Sequence, residues 1–100
     1  MAHKTSLTVN GNPIELNPYV EGYVFYIAAG ILNSLKDTGP IKRLELDIDR
    51  DGQVSIVLNG TAVPCNVFVM EIIRNTLAGM VSGLKGVTGE MRTLELKISR

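Results

Sequence analysis

Polar and apolar residues alternate through Ser6-Leu7-Thr8-Val9, the period of a half-buried strand, and the run ends directly in Asn10-Gly11. Asn-Gly supplies the two positive-φ positions of a tight hairpin turn, so a short return arm from Pro13 to Leu16 is expected. Pro13 confines that arm to an edge, because proline cannot donate to a ladder. Asn17-Pro18 then reads as an N-cap followed by proline at the first helical position, where the missing N–H costs nothing. In the helix that follows, Val20, Val24, Ile27, Ile31 and Leu35 make an apolar stripe flanked by Tyr23 and Ala28. Lys36, Gly39 and Pro40 are its stop signals. Alternation returns from Arg43 to Asp49, with Leu44, Leu46 and Ile48 inward and Glu45, Asp47 and Asp49 toward water. Arg50-Asp51-Gly52 is a turn, and Val54, Ile56 and Leu58 continue the inward set, so these two strands form a hairpin.

The pattern then repeats. Laying Asn10-Gly11 on Asn59-Gly60 places Asn17 on Asn66, Val20 on Val69, Ala29-Gly30 on Ala78-Gly79 and Leu35-Lys36 on Leu84-Lys85. After one inserted residue, Leu44-Glu45-Leu46 and Ile48 fall on Leu94-Glu95-Leu96 and Ile98. The second helix runs from the Asn66 cap to about Lys85 with the stripe Val69, Ile73, Thr76, Met80 and Leu84, and a loop from Gly86 to Gly89 leads to the last strand. The chain reads as one α+β domain over residues 1–100 built from a tandem duplication, with one copy over 5–49 and the other over 54–99. Two β-α-β units joined by a hairpin predict a ferredoxin-like, four-stranded antiparallel sheet, both helices on one face, and short extra arms after each Asn-Gly turn. Gly30 and Ser34 on the first helix match Gly79 and Gly83 on the second, which predicts close approach of the two helices there.

Composition narrows the function classes. Hydrophobic residues are 45% and charged residues 20%, as in an ordinary globular chain, and the formal net charge is zero. No long-range field favours nucleic acid or an anionic membrane. The outward strand positions, among them Ser6, Thr8, Glu45, Asp47, Ser55, Val57, Thr93, Glu95 and Lys97, offer no aromatic platform for stacking bases. Tyr19 to Leu35 carries one charge, Glu21, but is at the short limit for a span and is interrupted by glycines and Asn33. Its duplicate contains Glu71, Arg74 and Asn75, so a membrane role is not expected. Cys65, the one cysteine, allows no internal disulfide, and the N-terminal residues show no signal-peptide run; the cytoplasm is the expected compartment.

The nearest match to a chemical motif is Asp47-x-Asp49-x-Asp51-Gly52, which resembles the first positions of an EF-hand calcium loop. Calcium is the one cofactor these residues raise as a metal site. Leu58 stands where that loop needs a bidentate Glu, and the flanks alternate as strands, so a hairpin turn with solvated carboxylates explains the same residues. Cys65, just before the second cap, occupies the place of Leu16 and reads as a small apolar plug instead of a nucleophile. His3, the one histidine, gives no Cys/His or Ser/His/Asp set. The order of each half resembles the opening of ubiquitin-like sulfur carriers, from which the long second helix and the Ile98-Ser99-Arg100 ending depart.

The two copies differ on their helices, where Phe25, Tyr26 and Leu32 stand against Arg74, Asn75 and Val81. An apolar face in one copy alone predicts a contact surface through the first helix, formed by Phe25, Tyr26 and Leu32, most simply in a homodimer. The reading is a non-enzymatic assembly or protein-interaction module. The alternative is a small-ligand or metal-binding protein or enzyme with a pocket at a protomer interface or beneath the two Asn-Gly turns, using Tyr19, Tyr23, Tyr26, Asp47, Asp49 and Asp51.

Overall fold

The computed structural model describes residues 4–35, 41–84 and 89–99. His3, Lys36, Gly39, Pro40, Lys85, Gly86 and the Leu35 side chain, all invoked above, lie outside them. The elements run β1 (Lys4–Val9), β2 (Asn12–Ile14), α1 (Pro18–Leu35), β3 (Arg43–Ile48), β4 (Val54–Leu58), β5 (Thr61–Val63), α2 (Val67–Ser82) and β6 (Leu94–Ser99). Each Asn-Gly pair takes positive φ at both residues: Asn10 at 52° and Gly11 at 80°, Asn59 at 51° and Gly60 at 86°. Both helices start on their asparagine caps, Asn17 Oδ1 accepting from Val20 N at 2.9 Å and Asn66 Oδ1 from Val69 N at 2.8 Å.

The α+β class holds, but the four-stranded ferredoxin-like sheet does not: the strands form one six-stranded antiparallel sheet in the order β2-β1-β6-β3-β4-β5. A ferredoxin-like sheet centres the first strand of each β-α-β unit between two full-length neighbours. Here β1 has one edge taken by its own arm β2, and β4 has one edge taken by β5. A strand has only two edges to pair. With β4 already held by the Arg50–Gly52 hairpin to β3, the last strands β3 and β6 are left to fill the centre and pair with each other. The arms after Asn-Gly are therefore full members of the sheet, and each unit's first and last strands are separated by one strand of the other unit. Both sheet edges are three-residue strands, and Pro13 lies in one of them, which blunts edge-to-edge pairing.

One face of the sheet carries Leu7, Val9, Leu44, Leu46, Ile48, Val54, Ile56, Leu58, Leu94, Leu96 and Ile98, all buried in a single cluster with residues from both helices. Full burial of one such side chain is worth about 1.5–3 kcal/mol, so this layer holds the helices down. The phase of the helices differs from the expected stripes. In α1 the buried residues are Val24, Ala28 and Leu32, with Ile27 and Ile31 half-buried; in α2 they are Ile73, Leu77, Met80 and Val81, with Thr76 exposed. The small Ala28 is buried in the core while Tyr23, whose hydroxyl favours water, is exposed. The expected close approach of helices at Gly30, Ser34, Gly79 and Gly83 does not occur. All four are exposed, and a Cβ built on any of these glycines meets nothing within 4 Å.

Candidate functional site

The rotation of both helices leaves a matched outer face. Tyr19 is 82% exposed and Phe68, at the same place after the second asparagine cap, 69%; Tyr23 and Ile72, which also match in position, are exposed too. Tyr26 and Val67 add to the face. The cause is local: Asn17 and Asn66 set where each helix begins, and the first two turns then place the residues two and six after the cap away from the sheet. On α1, Pro18, Tyr19, Gly22, Tyr23, Tyr26 and Ile27 bound an apolar groove of about 550 Å³, its floor open because Gly22 has no side chain. Charges are sparse on both helices, with Glu21 on α1 and Glu71 and Arg74 on α2.

Of the three residues expected to form a contact surface, only Tyr26 is well exposed. Phe25 is half-buried against the core and meets Tyr26 edge-on, ring centroids 5.5 Å apart and planes at 76°. Leu32 is 1% exposed and belongs to the core, because the buried stripe runs through Val24, Ala28 and Leu32 at every fourth residue. Phe68 and Ile72 are the residues that sequence reasoning passed over. Their signal is present when the two halves are aligned, where Tyr19/Phe68 and Tyr23/Ile72 are apolar or aromatic in both although neither pair lies on the core stripe.

The calcium-like run does not gather its carboxylates. Asp47 projects from β3 on the open face of the sheet, opposite Glu95 of β6. Asp49 closes its own turn, Oδ1 accepting from the N–H groups of Asp51 and Gln53, both at 2.9 Å. Asp51 is exposed beyond it. Among the described residues no group of three His, Cys, Asp or Glu side chains is placed to hold a metal ion. Partial burial, then repulsion by Glu95, pushes the Asp47 carboxyl above its ordinary range; Lys97 opposes the shift and Glu45 adds to it. Cys65 is partly buried beside α2, Sγ 3.7 Å from the Val63 carbonyl oxygen, and burial pushes its thiol up, away from an activated thiolate.

Among the described residues no helix is long and apolar enough to cross a membrane. Comparison of the chain with protein-family models, with curated proteins and with solved structures found no match. The functional reading therefore rests on the chain's own geometry.

Proposed function

We propose that this protein is an assembly module that pairs with a second copy of itself through the outer faces of α1 and α2. The observation that carries the reading is the matched exposure of Tyr19 with Phe68 and of Tyr23 with Ile72. Six large apolar or aromatic side chains are exposed on the two helices of a small domain, three of them around the groove on α1, and apolar surface of that kind calls for a cover. The occupant is argued from three properties. A patch repeated by an internal duplication suits the isologous contact of a two-fold dimer, in which each copy offers the same surface. The formal net charge of zero imposes no repulsion between copies. The molecule measures 34 × 33 × 18 Å, so its broad side is large enough for the roughly 800 Å² per partner that a stable interface needs. Tyrosine and phenylalanine are also enriched at protein interfaces relative to the rest of the surface.

Sedimentation equilibrium over a wide concentration range tests the reading. A dimer mass is expected for the parent, and Tyr19→Glu together with Phe68→Glu should return a monomer with the melting temperature of the dissociated protein. A parent that stays monomeric at every concentration, or charged variants that keep the dimer mass, would remove the proposal.

A further inference from the structure

A separate cleft of about 960 Å³ opens at the end of the sheet where the β3–β4 turn, the Asn10-Gly11 turn and the segment before β6 meet the middle of α2. Among the described residues its charged lining is Arg50, Arg74 and Arg92 with one carboxylate, Glu90, while Asp49 and Asp51 flank Arg50 in the β3–β4 turn without lining the cleft. The lining itself is thus more cationic than anionic. Arg74 is partly buried, and its Nη1 donates to the Gly52 carbonyl at 2.6 Å, while Gly52, at φ 81°, leaves the guanidinium room that a Cβ would restrict at 3.4 Å. One neutral acceptor satisfies one of the five donors of that fork. Among the described residues no ion pair involves Arg50, Arg74 or Arg92. Asp49, in the same turn as Arg50, already accepts from two backbone N–H groups.

The duplication sharpens the point. Phe25 stands at the place of Arg74 in the first copy and packs against the core, so the second copy replaces an apolar contact by a guanidinium that stands partly out of water. Desolvating a charge beside a single carbonyl costs free energy unless a further partner completes it. Ile48, Ala78 and Met91 also line the cleft and provide apolar surface beside the charges. Clefts of this size with a few convergent polar groups are typical small-molecule sites, and planar guanidinium forks match phosphate oxygens in pairs.

We infer that this cleft binds a phosphate monoester of a small organic molecule, the phosphate dianion held by Arg74, Arg92 and Arg50 and the organic part resting on Ile48, Ala78 and Met91. The inference is independent of self-association, since none of these residues belongs to the exposed stripe of Tyr19, Tyr23, Phe68 and Ile72.

The test is calorimetric titration of the intact protein at fixed ionic strength with inorganic phosphate, a nucleoside monophosphate, a sugar phosphate, the uncharged parent nucleoside and citrate. A phosphate ester is expected to bind more tightly than inorganic phosphate, with the nucleoside alone silent. Arg92→Gln and Arg50→Gln should each weaken that binding by about tenfold or more, the scale of a lost charge-assisted hydrogen bond, while Lys4→Gln on the exposed side of β1 leaves it unchanged. Heat unfolding of each variant shows that it folds. Silence across the phosphate panel overturns the inference, as does citrate binding as well as the esters, or equal loss on Lys4→Gln.

Discussion

The side-chain oxygen of Asn10 accepts the backbone N–H of Arg92 at 2.6 Å. The same oxygen accepts from Thr93 N at 3.0 Å, and the Asn10 amide donates to the Glu90 carbonyl at 2.9 Å. Asn59 repeats the arrangement in the other half, its Oδ1 accepting from Lys42 N and Arg43 N, both at 2.9 Å. Each hairpin asparagine thus fastens the entry to the strand after the helix of the opposite half, where irregular backbone would otherwise leave N–H groups without partners. The residue has two tasks: its φ is positive and its side chain locks the two units together.

Glycine at position 10 separates those tasks. Asn10→Gly keeps the turn conformation accessible but removes both accepted bonds, and should cost about 1–2 kcal/mol in urea unfolding. Asn10→Ala should cost more, because alanine also resists φ of 52°. Equal stability of the glycine variant and the parent would show that the clamp contributes nothing.

Thr5 faces the core side of β1, in the same phase as Leu7 and Val9, and its hydroxyl oxygen is buried with no hydrogen-bond partner among the described residues. Valine has the same shape without the unsatisfied group. Thr5→Val should raise stability by about 1 kcal/mol, a shift of roughly 4 °C in Tm for a chain of this length. A lower Tm would mean that the hydroxyl has a partner after all.

Asp47 and Glu95 face each other across β3 and β6 with like charge. Because burial and that neighbour raise the Asp47 pKa, the folded protein holds this proton more tightly than the unfolded chain does. Stability from this residue is therefore greatest at acid pH and declines as pH rises through the carboxylate range, the reverse of a salt-bridged aspartate. Asp47→Asn should stabilise the protein at neutral pH by a few tenths of a kcal/mol, the scale of a cross-strand pair. The difference from the parent should close toward about pH 3, where the carboxyl is protonated in both states. Melting curves of both proteins across that range provide the check; an advantage that persisted at acid pH would place its origin elsewhere.

These effects separate what a linear reading can reach from what it cannot. Caps, turns and alternation depend on neighbours within a few residues, so Asn17, Asn66, Asn10-Gly11, Asn59-Gly60 and the inward sets of β3, β4 and β6 are visible in the sequence. The strand order was also within reach, since two Asn-Gly hairpins and the β3–β4 turn occupy edges that a ferredoxin-like sheet needs free. Helix phase was not. Val20, Val24, Ile27 and Ile31 make as regular a stripe as Val24, Ala28 and Leu32, and the choice between them depends on how closely the helix can approach a particular sheet. Matched glycines mislead for a related reason: mid-helix glycine signals that something needs space, and here a Cβ at Gly30 or Gly79 would have nothing against it. The arginine cleft depends on the Asn10-Gly11 turn, the β3–β4 turn and the segment before β6 meeting at one end, a result of the interlocked strand order.

The placement of Leu32 and Tyr26 on one helix gives the sharpest contrast between core and surface. Leu32→Ala removes a fully buried side chain from the layer between α1 and the sheet, and should cost about 2–5 kcal/mol of the folding free energy. Tyr26 is 74% exposed and borders the α1 groove, so Tyr26→Ser should change unfolding of the isolated subunit by no more than about 0.5 kcal/mol. Its effect should fall instead on self-association, read as a higher dissociation constant in sedimentation. Urea unfolding at a dilution where the protein is monomeric keeps the two quantities apart. If Tyr26→Ser destabilised the monomer as strongly as Leu32→Ala, the tyrosine would be packing within its own chain, and the outer face of α1 would lose one of its anchors.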